Sequence, residues 1–568
     1  MTPDNRFLDD LVPTANRVEH ARVVADADAE QWDEACDVLV VGVGLAGVCA
    51  GLRAAEDTGL EVIAIDRSTG GGASKLSGGI IYMGGGTPAQ QAAGVDDDPE
   101  NMANYLAFET GDLIAPATVR RFAEASSRFQ TWLEGYGARF GGPATAEKTS
   151  YPNAHSLYFS GNELTEPGRA LARPAQRGHR AKPERGGEPT ALSGQYLLPP
   201  LIRSLENRPN ARLYRQTRAT RLVVDAAGAV VGIEVKRIPP GLAAWRHAKA
   251  WTLANNIIAA TLGLTTRFYG LITRIEQEKG QLVRIRVRKG VVLSAGGFTY
   301  NRTMMAKTAP AYLTSYPLGT IADDGSGIKL GMSAGGQTGS LDRISAWKFL
   351  YQPENWVKGC TVGPDGNRLV GEEYYGARTG EAVFGKAGGK GWLITDEPLQ
   401  QMVRDEIKGM KKMLFQKIQF RAIQKDYTIS APTLAELAGP LGIPADALEA
   451  TLAEYNEHIA CGKPDPLGKS EKYRRKLDTG PFYATNIGGS LKLSPIPALT
   501  MGGLLVDEVT GQVLSNEGGT VSGLYAAGRT AVGICSHYYV SGLSLGDCVF
   551  SGLRAAEAIR GNGGSAAL

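Results

Sequence analysis

The chain has 568 residues, 21% of them charged, and a net charge of only +3. That length supplies more than one domain. The near-neutral balance, with no basic stripe carrying interleaved aromatics, excludes nucleic acid as an expected partner. No stretch approaches roughly 18 uninterrupted apolar residues, and the polar start MTPDNRFLDD lacks a signal peptide's basic and apolar regions.

The six cysteines (Cys36, Cys49, Cys360, Cys461, Cys535, Cys548) form no CxxC pair. They read as scattered reduced thiols of a cytoplasmic protein. The six histidines show no HxxxH or HxH spacing, so no metal site is expected.

Residues 37–42, DVLVVG, read as a short strand. Gly42-Val43-Gly44-Leu45-Ala46-Gly47 follows, then a helix from Val48 to about Asp57 and a second strand, EVIAID, ending at Asp66. Gly42 permits a tight turn, Gly44 lets backbone reach a pyrophosphate, and Gly47 lets the helix lie close on the strand. Asp66 stands where a ribose hydroxyl needs a carboxylate acceptor. The pattern predicts dinucleotide binding without separating FAD from NAD. Residues 70–86, GGGASKLSGGIIYMGGG, make that distinction. An NAD domain would have an ordinary crossover helix there. Here Ser74, Ser77, Gly78 and Gly79 offer backbone N–H groups and hydroxyls to a second polar portion, as FAD requires.

Strands are expected within 211–235, around a turn at Ala226–Gly228, and at 283–294, followed by Ala295-Gly296-Gly297-Phe298. Between them lies an insertion, about 239–279, helical in tendency. It reads either as a helical hairpin packed on the surface or as an interfacial helix touching a membrane or gating an apolar substrate through about 245–275. Residues 318–331 form a turn and helix start with Asp323 and Asp324. The run 404–426 reads as one solvated basic helix of a second domain. TLAELAGPLGIPADALEATLAEYNEH predicts two helices, with Thr433 as N-cap of the first and Pro444 opening the second. Near the C-terminus, TMGGLLVD, GLYAAGR and SHYYVSGLSLGDCVFSGLRAAEAI predict a loop entering an amphipathic helix near 542–546, its positive end toward a flavin.

GVGLAG, GGGASKLSGG, VVLSAGGF, TMGGLLVD, GLYAAG and SGLSLGD, in that order, resemble the fumarate reductase/succinate dehydrogenase flavoprotein superfamily across about 35–560. The resemblance implies an α/β, glutathione-reductase-type Rossmann-like FAD domain (1–304 and 486–568) with an inserted α+β capping and catalytic domain (305–485). Cofactor contacts would then fall on Gly42, Gly44, Leu45, Ala46, Gly47, Asp66 and Arg67, and on Ser74, Ser77, Gly78, Gly79 and Ala219. They continue at Ala295, Gly296, Gly297 and Asp324, and end at Gly528, Arg529, Ser544 and Leu545.

The dicarboxylate branch carries a histidine pair before TMGG, where this chain has Ala498-Leu499-Thr500. It carries an arginine in the last glycine motif, where Val540-Ser541-Gly542 stand here. GNRLVGEEYYGAR offers Tyr374 and Tyr375 where that branch has its arginine acid. Without those cations a dianion is poorly held. Tyr-x-Ser-Gly, GLYAAGRT, LYFSGNE and the distal RGH resemble the 3-ketosteroid dehydrogenases, the 3-keto-5α-steroid 4-dehydrogenases most closely. The resemblance implies a small apolar ketone as substrate and an electron acceptor such as a quinone.

Desaturation beside a ketone needs a base for the alpha proton and a hydride acceptor for the beta hydrogen. A stabilised phenol can be that base, and a second donor polarises the ketone. The expected roles are Tyr539 as base, Ser541 as relay or as the group that fixes the phenol, and Tyr375 as support or ketone ligand. Tyr538 and Gly542 complete the substrate contacts. Tyr538 stands four residues before Gly542, as the ketone-binding tyrosine of a 1-dehydrogenase would, so 1-dehydrogenation stays open. A different enone reductase of the superfamily stays open too.

Overall fold

The valine-rich run is part of an eight-residue strand, β1 (Glu34–Val41), whose last six residues are all buried. Such a strand cannot alternate apolar with polar residues, because both its faces are covered. Val38 and Val40 join one core, while Cys36, Leu39 and Val41 join the other. α1 (Leu45–Ala55) begins directly after Gly44, earlier than the expected Val48. β2 (Val62–Ile65) then lies parallel to β1, and β3 (Ala211–Tyr214) parallel to β2. The computed structural model describes residues 18–561 apart from 147, 149–154, 258–261, 352, 410–413 and 490–495.

β4 (Thr217–Val224) and β5 (Val230–Arg237) pair antiparallel around the expected turn. The insertion follows as two helices, α2 (Leu242–Ile257) and α3 (Leu262–Lys279). β6 (Gln281–Leu293) first pairs antiparallel with β5, then runs parallel to β1. Its end also pairs in parallel with β7 (Thr520–Ala526). The five parallel strands stand in the order β7–β6–β1–β2–β3, so strands from both ends of the chain build one sheet.

α4 (Leu543–Ile559) closes the fold and corrects the expectation of an amphipathic helix, because every residue except Ala558 is buried. Its polar residues are paired inside: Arg554 donates to the Glu508 carbonyl at 3.1 Å, Glu557 is bound by Arg53, and the Ser551 hydroxyl accepts the Gly528 N–H at 2.9 Å.

Residues 360–486 contain a four-stranded antiparallel sheet of Cys360–Val362, Trp392–Asp396, Phe482–Asn486 and Thr428–Ala431, in that order. Neighbours Leu393 and Ile394 enter different cores, so this sheet too is covered on both faces. Thr433 caps Leu434–Leu441 by accepting the Glu436 N–H, and Pro444 precedes Ala445–Ala460. The run 404–426 is divided between helices Glu397–Gly409 and Leu414–Asp426. It is not simply solvated, since Ile407, Phe420 and Ile423 are buried. No helix among the described residues is long and apolar enough to cross a membrane.

The RGH triplet is a brace. Arg177 and Asp97 have fully buried side chains and meet through two hydrogen bonds, Nη2 at 2.7 Å and Nε at 3.0 Å. Burial opposes the charge of Asp97, but Arg177 and the Gly85 amide outweigh it and hold the carboxyl below its ordinary range. His179 meets the Thr87 hydroxyl at 2.8 Å, and burial lowers its pKa to about 4, so it is neutral at pH 7. Asp97→Asn leaves a buried guanidinium without its anion, and we expect about 3–5 kcal/mol of lost stability in denaturant titration. The loss shrinks as pH falls through the lowered Asp97 pKa, because the carboxylate's contribution exists only above it.

Candidate active site

The main cavity lies at the carboxyl ends of the parallel strands, where ligands of open α/β sheets bind. Gly42, Gly44, Leu45 and Ala46 line it from the β1–α1 turn, and Asp66 and Arg67 from the end of β2. Ser74 comes from the short helix Gly72–Leu76, Ala219 from β4, Ala295 and Gly296 from the end of β6, and Gly528 and Arg529 from the end of β7. Gly42 holds φ at +99°, and a Cβ there would lie 2.7 Å from the Ser294 carbonyl oxygen, so only glycine fits. Asp66 is fixed by its neighbours: Oδ2 accepts the Val43 N–H at 2.9 Å, and Oδ1 accepts the Ser68 amide and hydroxyl, each at 2.7 Å.

The remaining expected cofactor residues are not among those that line this cavity. Gly47 packs α1 against β1, as its spacing required. Ser77, Gly78 and Gly79 lead into strand Ile80–Tyr82, with the Ser77 hydroxyl accepting the Gly79 N–H at 3.1 Å. Gly297 backs onto Thr500, and Ser544 and Leu545 are buried in the first turn of α4. Asp324 turns away from the cavity and accepts from Arg67 Nη1 at 2.8 Å and the Tyr269 hydroxyl at 2.9 Å. Burial opposes its charge, but Arg67 and Lys329 outweigh that and hold it below the ordinary range. Its neighbour Asp323 lines the wall instead, accepting from Arg529 Nη2 at 2.7 Å and the Gly297 N–H at 3.0 Å. No sequence motif marks three further lining residues from the insertion: Trp251, Thr252 and Asn255.

A second cluster is aromatic. The Tyr539 ring is buried and stacks on Trp347 with centroids 5.2 Å apart and planes 14° from parallel. Tyr375 lies 6.3 Å from Tyr539, ring to ring, edge-on to Phe349, and its amide donates to Asn162 Oδ1. The Ser541 and Tyr158 hydroxyls are 2.9 Å apart. Tyr158, absent from the expected set, lies within LYFSGNE, the segment that could have pointed to it. Burial pushes the Tyr539 phenol well above its usual range, while a hydrogen bond with the Gly542 backbone pulls the other way. Gly542 begins α4 at φ +88°, and a Cβ there would meet Ile80 Cγ2 and Tyr82 N at 2.8 Å. Tyr539 therefore sits at the positive end of a 17-residue helix.

Tyr538 stands apart, half-buried, with the Arg378 guanidinium 3.4 Å from its ring centroid. Arg378 Nη2 donates to Glu109 Oε2 at 3.0 Å, so its charge is answered inside the protein. Glu109 Oε1 in turn accepts from the Tyr105 hydroxyl and from Asn162 Nδ2, both at 2.8 Å. The same carboxylate thus ties Arg378 to Asn162, which holds Tyr375. A cleft lined by Tyr538, Tyr539, Ser345, Ala377 and His537 reaches this cluster.

A family model described as an FAD binding domain matches residues 37–545. The chain belongs to the FAD-binding-domain family. A 3-oxo-5-alpha-steroid 4-dehydrogenase from Comamonas testosteroni is 33% identical over 529 residues, covering 91% of this chain and 97% of that protein. A 3-oxosteroid 1-dehydrogenase from Mycobacterium tuberculosis (strain ATCC 25618 / H37Rv) is 26% identical over 560 residues, covering 89% and 94%. The crystal structure of 3-ketosteroid-delta4-(5alpha)-dehydrogenase from Rhodococcus jostii RHA1, in complex with 4-androstene-3,17-dione, matches with a TM-score of 0.75 and 29% identity, covering 95% of this chain and 99% of that one. These similar proteins fall in the 3-ketosteroid dehydrogenase branch that the motifs resemble, and this FAD-binding-domain protein is an FAD-dependent oxidoreductase.

The cavity wall fits the family's cofactor. Arg529 is buried, and its Nη1 has no partner among the described residues, leaving a charged donor for an anionic or carbonyl oxygen. Asp66, tied to backbone and Ser68, is positioned to accept ribose hydroxyls. The Gly44 and Leu45 turn places the start of α1 beside them, where phosphate charge is favoured.

Proposed function

We propose that this flavoprotein dehydrogenates a 3-ketosteroid, introducing a ring A double bond next to the ketone, with 4-dehydrogenation favoured. The group of buried Tyr539, Tyr375 and Tyr158 with half-buried Ser541 carries the reading. It stands where dicarboxylate chemistry needs cations, and the nearby guanidinium, Arg378, is already engaged by Glu109. Neutral hydroxyls among aromatic rings suit a largely apolar ketone better than buried cations would.

Bound FAD supplies the acceptor for the hydride leaving the beta carbon. Tyr539 takes the alpha proton as phenolate, steadied by the Gly542 amide and the start of α4. Ser541 and Tyr158 form the hydroxyl pair that receives the proton from the phenol and moves it away. Tyr375, fixed through Asn162 and Glu109, polarises the ketone oxygen as enolate charge develops. Tyr538, packed under Arg378, shapes the cleft. The greater identity to the 4-dehydrogenase than to the 1-dehydrogenase supports the choice of bond.

In this reading a quinone takes the electrons onward. A contact with the membrane carrying such a quinone is supported by the exposed Leu242, Trp245, Leu253 and Leu271, which lie near exposed Arg246 and Lys249.

Anaerobic mixing with a 5α-3-ketosteroid tests the reading. The yellow oxidised flavin should bleach, and the product should be the 4-ene-3-ketone by mass and double-bond position. A 1-ene product would favour the 1-dehydrogenase alternative. No bleaching with any 3-ketosteroid, together with reoxidation of the reduced flavin by some other enone, would overturn the proposal.

A further inference from the structure

β5 and β6 are antiparallel neighbours in register from Arg237 opposite Gln281. A turn of a few residues would join them. The chain inserts α2 and α3 instead, and the sheet itself gives no reason for them. Their buried side, Ala250, Trp251, Ala254 and Ile272, packs on Ile321. Ile321 lies between Thr320 and Ala322, both of which line the cofactor cavity.

The hairpin is fastened to that wall by buried polar groups. Arg67, the residue after Asp66, donates from Nε and Nη2 to the two Glu276 oxygens at 2.8 and 2.9 Å. Its Nη1 donates to Asp324 at 2.8 Å. Tyr269 joins through Asp324. Burial opposes the charge of Glu276, but Arg67 and a hydrogen bond with His247 outweigh it and hold the carboxyl below the ordinary range. At the hairpin's start the Gln216 amide donates to the Ala244 carbonyl at 2.7 Å, and Gln216 precedes lining residues Thr217, Arg218 and Ala219. The polar fastenings therefore fall on Arg67 and Gln216, on the segments beside Asp66, and on Asp324, which Arg67 also binds.

Among the described residues of the hairpin that line this wall, one polar atom is left over. Asn255, on α2, lines the cavity, and its Oδ1 is buried with no hydrogen-bond partner among the described residues. A buried amide oxygen left unpaired is costly, so its setting calls for a donor. Adenosine offers an exocyclic amine and ribose hydroxyls.

We propose that the α2–α3 hairpin is a built-in clamp for the adenosine end of FAD, with Asn255 and Trp251 as its contacts and Arg67–Glu276–Asp324 as its latch. The proposal concerns the cofactor and does not depend on which substrate is oxidised. Asn255 hydrogen-bonds the adenosine moiety, Trp251 walls it from solvent, and the latch holds both in place. FAD then leaves slowly, and ligands lacking adenosine gain nothing from the hairpin.

Flavin release on dilution of the holoenzyme, followed by the fluorescence of freed FAD, is the test. Asn255→Ala and Glu276→Gln should each release FAD about tenfold faster than the parent, in line with the loss of one buried hydrogen bond or one charged partner. Leu253→Ser, on the exposed side of α2, should release it at the parent rate. Trypsin supplies a second readout that survives a poorly folding variant. After flavin removal from the unaltered protein, cleavage at exposed Arg246, Lys249, Arg267 and Arg274 should accelerate, and ADP should restore protection where FMN does not. Parent-like release from both Asn255→Ala and Glu276→Gln would overturn the clamp, as would equal protection by FMN and ADP.

Discussion

Tyr539→Phe should lower kcat by about a thousandfold while the purified protein remains yellow, because general-base catalysis contributes roughly 10²–10⁴ in rate. The ring of Tyr539 has its own packing role: it stacks on Trp347 and lies against Tyr375. Phenylalanine keeps that packing and removes only the hydroxyl, so a large rate loss without flavin loss isolates the proton step. The pH profile sharpens the test. Burial raises the phenol above its ordinary value, so the neutral form dominates at pH 7 and the basic form grows as pH rises. The kcat/KM of the parent should therefore climb by about tenfold per pH unit through the neutral range, and that climb should vanish in Tyr539→Phe. Stability has the opposite sign. A phenol with a raised folded-state pKa contributes stability below the unfolded value, near 10, and loses it as pH rises further. Turnover and melting temperature should then diverge in alkaline buffer. Near-parental turnover by flavin-loaded Tyr539→Phe would remove Tyr539 from the mechanism.

The parts of this protein that could be read directly are those where one residue's own sterics decide the structure. Gly42 turns at φ +99°, Gly542 at φ +88°, and Thr433 caps its helix through its own hydroxyl. Each requirement is local and leaves its mark in a few adjacent letters. The parts that could not be read are pairings between distant residues. Tyr158 meets Ser541, Glu109 meets Arg378, and Arg67 meets Glu276 only after the sheet has formed. Nothing in the periodicity around any of these residues names its partner. The same blindness explains the expectation for α4. The pattern predicts an amphipathic helix, yet its polar Asp547, Ser551, Arg554 and Glu557 are all buried, and residues of other segments partner Ser551, Arg554 and Glu557. Asp323 and Asp324 are adjacent, but side-chain direction sends one to the cavity and the other to the latch. RGH resembled a functional signature, and its arginine and histidine prove to be a buried brace.

Two glycines of the dinucleotide turn should fail in different ways when replaced. A Cβ on Gly47 would overlap the Gly42 carbonyl oxygen and come within 2.7 Å of Ser294 Oγ and 3.0 Å of Val40 Cγ1. The first is backbone of the turn itself. The second cannot swing aside freely, because the Ser294 hydroxyl donates to the Gly42 and Val41 carbonyls at 2.8 and 3.1 Å. Gly47→Val adds two further methyls to that space, so α1 must lift from β1. Overpacking typically costs about 1–3 kcal/mol, and displacement of the central strand–helix contact costs more, against a total stability of roughly 5–15 kcal/mol. Gly47→Val should therefore yield no soluble flavin-loaded protein. At Gly44 the nearest atom to a new Cβ is Ser74 Oγ at 3.6 Å, an ordinary contact, and the backbone there is extended. Gly44→Ala should fold with a near-parental circular dichroism spectrum. Gly44 lines the cavity, however, and if its backbone is to meet the pyrophosphate as expected, an added methyl should make the flavin-to-protein absorbance ratio fall sharply. The contrast separates a glycine required by the protein's own packing from one required by its cofactor. Parental flavin content in Gly44→Ala would place the pyrophosphate elsewhere on the wall.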